Sequence, residues 1–236
     1  MMTIRHANER GQVKTDWLHS RHSFSFGHYY DPKHLGFGPL KVINEDEVAP
    51  GRGFETHGHR DMEIISYVLD GALKHQDSLG TGSIIRPGDI QRMSAGTGVL
   101  HSEFNASNSE PVRFLQIWVE PESAGLAPGY EQKSFLNGDH DGQWRLVGSR
   151  DGRDGSVVIH QDLNLYTCML SSGDSIELVV TPTRQGWLQV ARGAIKLSGC
   201  ELSQGDGMAL TGASQLRIEA REDAEMLWFD MATAPA

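Results

Sequence analysis

The chain has 236 residues and a formal charge of −10, from 21 Lys and Arg against 31 Asp and Glu. It is long enough to bury the core of one large domain or of two small ones. The acidic balance argues against a nucleic-acid partner, because binding a phosphate backbone needs clustered basic side chains, and no apolar run approaches the roughly 18 residues of a membrane span.

Strand patterns dominate the chain. Runs of β-branched and aromatic residues, each bounded by Gly, Pro, Asp or Ser, predict strands; in chain order they are Ile64–Leu69, Phe114–Val119, Ser156–His160, Ile176–Val180, Trp187–Val190 and Met226–Phe229. Glycine supplies 27 of the 236 residues, well above the usual share of about 7%, which indicates many turns. These features predict an all-β fold of the sandwich or barrel type, with a linker at Pro121–Gly142.

The two halves on either side of that linker share a sequence pattern. Leu69–Lys74 reads LDGALK and Ala191–Lys196 reads ARGAIK, and a Gly-Asp turn follows each of them, at Gly88 and at Gly205. Strand, Gly turn, strand, Gly-Asp turn and strand recur in that order, which predicts a duplicated β-barrel. Chance recurrence of such pairs in a Gly-rich chain is the alternative.

Two residue pairs point to metal chemistry. His57 and His59 are i, i+2 neighbours, so they share one face of a strand, and His101 with Glu103 repeats this spacing further along the chain. If both pairs line one barrel, three imidazoles and one carboxylate converge. That donor set suits Fe(II), Mn, Ni, Cu or Zn better than Mg or Ca, and it leaves open positions for a substrate oxygen and O2 or water. Solvated or hydrogen-bonded histidines are the alternative.

The residues around these pairs resemble the pirin family. Residues 51–63 (GRGFETHGHRDME) are similar to the first cupin motif, and residues 86–89 with 93–105 are similar to the pirin form of the second; His22–Phe26 and His160–Asp162 also match. The resemblance implies a bicupin, in which two antiparallel, jelly-roll-like β-barrels pack together. The expected domains are residues 1–133, a metal-binding pirin cupin, and residues 134–236, a cupin without metal.

The same resemblance implies a site and an activity. It is closest to bacterial pirin-like quercetin 2,3-dioxygenases, which implies ring opening of flavonols with O2 and one divalent metal held by His57, His59, His101 and Glu103. In an enzyme of this kind Glu103 is both ligand and general base, because it takes the proton of the substrate 3-hydroxyl. Fe(II) is the metal expected first, with Ni, Mn, Cu, Co and Zn as alternatives.

Glu63 occupies the position from which cupins usually take their carboxylate ligand. Glu63 lies an even number of positions from His57 and from His59, so alternation along a strand leaves it open as a further ligand. The favoured interpretation is that Glu63 orients an imidazole or serves the fold. His75 and His160 have no partner at ligand spacing and are interpreted as hydrogen-bonded histidines.

The repeated pattern tests whether the second half could also bind a metal. Aligning Gly71 on Gly193 and Asp89 on Asp206 sets five residues opposite the candidate ligands and Glu63, and none of the five is a good ligand: Val179, Thr181, Gln185, Ile218 and Ala220. The second barrel is therefore predicted to be metal-free and structural.

Cellular location and partners follow from composition and from the resemblance. The two cysteines, Cys168 and Cys200, form no disulfide framework and the N-terminus lacks an apolar signal core, so a cytoplasmic protein is expected. We expect a monomer that acts on a small aromatic substrate and binds neither nucleic acid nor membrane. A metal-containing regulatory module with a protein partner is the main alternative, and a cupin isomerase or hydrolase is the other.

The pocket over the metal separates these alternatives, because a dioxygenase needs room for a three-ring ligand whereas a plugged pocket favours the regulatory module. Candidates for its wall are Phe54, Met93, Val99 and Trp118. The histidines of the N-terminal segment are predicted to pack with nearby aromatic residues over the barrel mouth.

Overall fold

The computed structural model describes residues 1–135 and 142–233. In these ranges the chain forms strands and two short 3-10 turns, Ala7–Glu9 and Arg153–Gly155. The first strands are β1 (Met2–Arg5), β2 (Gly11–Lys14), β3 (Leu18–His22), β4 (Leu40–Val48), β5 (Gly53–His59), β6 (Glu63–Asp70), β7 (Leu73–Asp77), β8 (Gly82–Ile85), β9 (Asp89–Ser94), β10 (Val99–Asn105), β11 (Val112–Val119) and β12 (Gly129–Ser134). The later strands are β13 (Arg145–Ser149), β14 (Val157–Val158), β15 (Leu163–Leu170), β16 (Ser175–Val180), β17 (Arg184–Arg192), β18 (Ala194–Leu197), β19 (Cys200–Ser203), β20 (Gly207–Thr211), β21 (Ser214–Ala220) and β22 (Ala224–Ala232).

The predicted all-β class is confirmed. Five of the six predicted strands lie inside β6, β11, β16, β17 and β22, whereas Ser156–His160 contributes only the two residues of β14. The predicted linker is wrong in part, because β12 forms within it and pairs with β9; residues 136–141 of that linker lie outside the described residues. In the described part of the chain, no helix has the length and apolar character that crossing a membrane requires.

The chain divides into two compact units. The histidine unit comprises Gly11–Asn137 and Val157–Gln161, and the second unit comprises Met1–Arg10, Gly138–Ser156 and Asp162–Ala236. The first ten residues belong to the second unit because β1 pairs with β20 along its whole length. A domain boundary after residue 133 stays a prediction.

Each unit contains a large and a small antiparallel sheet. In the histidine unit the large sheet has the strand order β12-β9-β6-β11-β4-β3-β2 and the small sheet β5-β10-β7-β8. In the second unit six strands follow the order β1-β20-β17-β22-β15-β13, and the small sheet is β16-β21-β18-β19. The order β9-β6-β11-β4-β3 thus recurs as β20-β17-β22-β15-β13, so the two units share one topology.

The repeated glycines have the same backbone role in both units. Gly71 links β6 to β7 at φ 78°, and Gly193 links β17 to β18 at φ 69°. Gly88 precedes Asp89 at the start of β9, and Gly205 precedes Asp206 just before β20; their φ values are 85° and 86°. Because side chains other than glycine avoid this left-handed region, the shared pattern reflects equivalent turns, as predicted from the sequence.

A β-bulge shapes β5. His101 of β10 lies opposite His57, but Glu103, two residues later, lies opposite Phe54, so β5 has one residue more than β10 in this stretch. Glu55 and Thr56 are both exposed, which breaks the alternation of the strand. As a result Phe54 and His57 face the same side of the sheet, although they are three positions apart and simple alternation would place them on opposite sides.

The interior of the histidine unit has apolar ends and a polar middle. One apolar cluster contains Val48, Val68, Leu73, Ile85, Val112 and Phe114, and another contains Ile64, Met93, Ala95 and Val99. Between them Ser66 lies on β6, between Ile64 and Val68, and it is fully buried. This polar layer is where the candidate site lies.

Candidate metal centre

Three histidines converge in the histidine unit. His57 and His101 lie opposite each other on β5 and β10, and their Nε2 atoms are 3.1 Å apart. The ring centroid of His59 lies 4.8 Å from each of the other two. One ring nitrogen from each residue lies within 4.8 Å of the others. The three imidazoles of the predicted set therefore converge, whereas the fourth predicted member, Glu103, lies in a separate group.

The separation of His57 and His101 fits two ligands of a single metal ion. Two nitrogens, each about 2.1 Å from one ion, are about 3 Å apart when they subtend a right angle, which matches the His57–His101 separation. The Nδ1 atom of His57 donates to the carbonyl of Glu55 at 2.8 Å. Metal-binding imidazoles are commonly oriented by such a bond, which leaves Nε2 of His57 free to coordinate.

Burial keeps the imidazoles in their metal-binding form. Desolvation, with a smaller contribution from the charge of His57, lowers the pKa of His59 to about 4. Desolvation also lowers the pKa of His101 to about 2, and the charges of His57, His59 and His75 add to the effect. Only neutral imidazole binds a metal, so His59 and His101 are ready to coordinate at neutral pH.

Glu103 lies on the same strand as His101 and is buried. Its carboxylate accepts a hydrogen bond from Ser66 Oγ at 3.2 Å. Burial raises the pKa of Glu103 to about 7; the bond from Ser66 opposes this shift and the charge of Asp46 adds to it. Glu103 joins His101 and His75 in a second group whose ligating atoms lie within 4.8 Å of one another.

His75 belongs to the site, which the sequence analysis missed. It is hydrogen-bonded, as predicted, with Nε2 3.0 Å from Asp77 Oδ2, but its ring also lies 5.3 Å from that of His101. On β7 it lies directly opposite Glu103. The signal was the i, i+2 spacing of His75 and Asp77, which could be interpreted only once β7 was known to pair with β10.

Glu63 lies outside both candidate metal groups and has a structural role. Its Oε2 accepts bonds from the backbone N–H of His160 at 3.2 Å and from Nδ1 of His160 at 3.1 Å, and neither candidate metal group includes it. The turn at residues 60–62 separates Glu63 from β5, so alternation from His59 does not extend to it. The predicted structural role is supported.

An open cavity of about 200 Å³ lies beside the histidines. His57, His59 and Glu103 line it, together with Phe54 and Trp118, two of the predicted wall residues. Met93 and Val99 were the wrong choices, because they are buried in the apolar cluster with Ile64.

The N-terminal segment forms part of the cavity wall, as predicted. Phe26 and His28 line the cavity. The ring of Phe26 lies 5.3 Å from those of Trp118 and His22, edge to face in both cases. Aromatic pairs of this kind hold the wall in a defined position.

The second unit has apolar residues where the histidine unit has its candidate ligands. Ile218 lies opposite Ile176 on β16, and Leu216 lies opposite Leu178. By strand pairing, Ile176 and Leu178 correspond to His57 and His59. The alignment of the two halves on their hairpin glycines set Val179 and Thr181 opposite the histidines instead. It was displaced because the stretch from this strand position to the hairpin glycine is three residues longer in the second half. Val179 is in fact exposed. Both candidate metal groups found in residues 1–135 and 142–233 lie in the histidine unit.

Comparison with known proteins agrees with this geometry. The family model described as Pirin matches residues 3–119, and the one described as quercetinase C-terminal cupin domain matches residues 146–231. Quercetin 2,3-dioxygenase of Escherichia coli K12 is 44% identical over 231 residues, which cover 98% of this chain and 99% of that protein. The chain belongs to the pirin family. The crystal structure of the E. coli pirin YhhW in complex with nickel(II) superimposes on this pirin with a TM-score of 0.94 at 43% identity, covering 99% and 100% of the two chains.

More distant structures share the fold alone. Quercetin 2,3-dioxygenase from Acinetobacter baumannii is 22% identical, with a TM-score of 0.80 over 98% of this pirin and 85% of that chain. The bicupin expectation is thereby confirmed. The histidine and glutamate cluster, together with the nickel-bound relative, supports a site for a divalent metal in this pirin.

Proposed function

We propose that this chain is a metal-dependent dioxygenase that opens the heterocyclic ring of flavonols such as quercetin with O2, with loss of carbon monoxide. The observation that carries the proposal is a cluster of three imidazoles, two of which line an open cavity together with a buried carboxylate. The 44% identical relative named quercetin 2,3-dioxygenase supports the same reaction class.

The proposed ligands are His57, His59, His101 and Glu103. When bound, a divalent transition metal supplies Lewis acidity and open positions for substrate oxygen and O2. Fe(II) is the proposed metal, and nickel is the first alternative because an E. coli relative has been solved with it. The hydrogen bond from His57 to the Glu55 carbonyl fixes the ring so that Nε2 faces the other imidazoles.

Glu103 is the proposed general base. A carboxylate with a pKa of about 7 can take the proton of the flavonol 3-hydroxyl near neutral pH, which a carboxylate of ordinary pKa does less readily. Ser66 holds one carboxylate oxygen in place. Phe54 and Trp118 of the cavity wall exclude water from the substrate rings and provide flat surfaces for them to pack on.

A regulatory pirin without turnover is the alternative, and the open cavity argues for a small-molecule ligand instead. The deciding experiment measures metal content of the purified protein, then anaerobic quercetin binding by absorbance, then O2 consumption. We expect one metal per chain, a shifted flavonol spectrum and stoichiometric O2 uptake. Robust metal loading without turnover of any flavonol would refute the dioxygenase.

Two matched variants test the base. Glu103→Gln removes the basic oxygen, so we expect O2 uptake to fall by at least about a hundredfold. Glu63→Gln changes another buried carboxylate that contacts only the fold, and activity per bound metal should remain. Equal activity per metal in both variants would exclude Glu103 as the base.

A further inference from the structure

A row of buried polar side chains crosses the large sheet of the histidine unit. Ser66 on β6 lies opposite Gln116 on β11 and Gln91 on β9, and Gln116 lies opposite Asn44 on β4. All four are at most 7% exposed. Asp46, two residues after Asn44 on the same face of β4, is equally buried. Burying five polar side chains side by side costs free energy unless they have partners.

The fold itself does not require this row, as the second unit shows. Leu188 lies five residues before its hairpin glycine, as Ser66 does in the histidine unit. The paired positions across that sheet form a row of Tyr166, Trp228, Leu188 and Met208. The last three belong to the apolar core, and the partly buried Tyr166 packs against it. The position of Asp46 is taken there by Cys168, which is also in that core. The same topology therefore folds around an apolar row.

Two of these five polar side chains, Asn44 and Asp46, present unpaired acceptors to the cavity. Asn44 and Asp46 both line it, and their Oδ1 atoms are buried without a hydrogen-bond partner among the described residues. The other contacts of Asp46 fix its position, because Ser20 bonds to its carboxylate and Ser20 Oγ lies 2.7 Å from His22 Nε2. Buried acceptors of this kind call for a donor.

We propose that Asn44 and Asp46 form a hydroxyl-recognition site for the substrate, so that the cavity selects aromatic ligands with free hydroxyl groups beyond the metal-chelating pair. The inference rests on the proposed flavonol function and narrows its substrate class. The two residues lie on the large sheet, whereas His57, His59 and Glu103 lie on the small one. A flat ligand between the sheets meets metal-binding groups on one side and hydroxyl acceptors on the other.

The chemistry of these two acceptors determines which class of substrate the site binds. An amide or carboxylate oxygen accepts a hydrogen bond from a phenolic O–H, and burial makes the loss of that donor expensive. A flavonol without these hydroxyls would leave Asn44 Oδ1 and Asp46 Oδ1 unpaired inside a closed complex. Recognition of this kind separates a polyhydroxylated flavonol from an unsubstituted one although both chelate identically.

The test compares two ligands on the metal-loaded protein under anaerobic conditions. Quercetin and 3-hydroxyflavone share the 3-hydroxy-4-keto pair, and only quercetin carries additional hydroxyls. We expect the wild type to bind quercetin at least about tenfold more tightly, and Asn44→Leu and Asp46→Leu each to reduce that preference by about tenfold. Affinity for 3-hydroxyflavone and metal content should stay the same.

Gln91→Leu is the matched control. Gln91 Oε1 is also buried without a partner in the part of the chain described, but Gln91 is not among the residues that line the cavity, so its replacement should leave the preference unchanged. Equal binding of both flavonols to the wild type would overturn the hydroxyl-recognition site and leave the proposed function intact. This comparison does not depend on the folding of any variant. An equal loss for both ligands in the Asn44 and Asp46 variants would also overturn it. Failure of either flavonol to bind would refute the proposed function and, with it, this inference.

Discussion

Replacing Glu103 by Gln should stabilise the metal-free protein. Burial raises the pKa of this carboxyl from 4.5 to about 7, and that difference corresponds to about 3 kcal/mol for the ionised form. Gln is nearly isosteric and still offers an oxygen to Ser66. At pH 8.5, where Glu103 is ionised in both states, the variant should therefore gain about 3 kcal/mol in free energy of unfolding.

The pH dependence identifies the cause. Between pH 4.5 and 7 the folded protein retains the proton of Glu103 while the unfolded chain loses it, so the wild type loses stability as the pH rises through this window. The gain from Glu103→Gln should be absent at pH 4 and complete above pH 7.5. Urea unfolding of chelator-treated protein at several pH values measures it.

A second buried glutamate provides the control. Glu45 is paired with Arg21 and with Arg113, each at 3.5 Å. Glu45→Gln removes this counter-charge from two partly buried guanidinium groups, of which Arg113 keeps Asp70 at 2.9 Å, and it should destabilise the protein. A variant Glu103→Gln that is no more stable than the wild type at pH 8.5, or that gains equally at pH 4, would refute the burial argument.

Three further predictions concern the site. His101→Ala should lose the metal while circular dichroism stays native, since the strands carry the core; an unfolded variant would contradict this. Because the pKa values of His59 and His101 are lowered, metal release on acidification, followed by a chromogenic chelator, should begin below pH 6.5; release centred at pH 6.5 would argue against these ligands. Gly53→Ala should lower metal affinity and cost about 2 kcal/mol or more, because a Cβ there collides with the backbone of Glu103. Gly82→Ala, where a Cβ meets only a carbonyl at 4.0 Å, should be neutral by thermal unfolding.

The two pairs of candidate ligands could be found from the sequence because the geometry within each pair is local. Alternation along a strand places His57 with His59, and His101 with Glu103, whatever the rest of the chain does. The repeated glycines also signalled shared turns, because a positive φ restricts which residue can occupy the position.

The remaining features depend on strand pairing across long separations. His75 joins the site only because β7 lies beside β10, and the i, i+2 spacing of His75 and Asp77 does not reveal that pairing on its own. Glu63 was ambiguous because a turn resets the alternation between β5 and β6. Asn44 and Gln116, which are 72 positions apart, look individually like solvated strand residues, and they become a buried row only when β4 pairs with β11.

The bulge in β5 makes strand length part of the histidine motif. Deleting Glu55 or Thr56 would leave the letters His-Gly-His unchanged, yet either Phe54 or the histidine pair would then turn to the outside of the sheet. A homologue could thus carry an intact motif and lack a working centre. In searches for related pirins, the number of residues between the aromatic wall residue and the first histidine should be counted together with the histidines themselves.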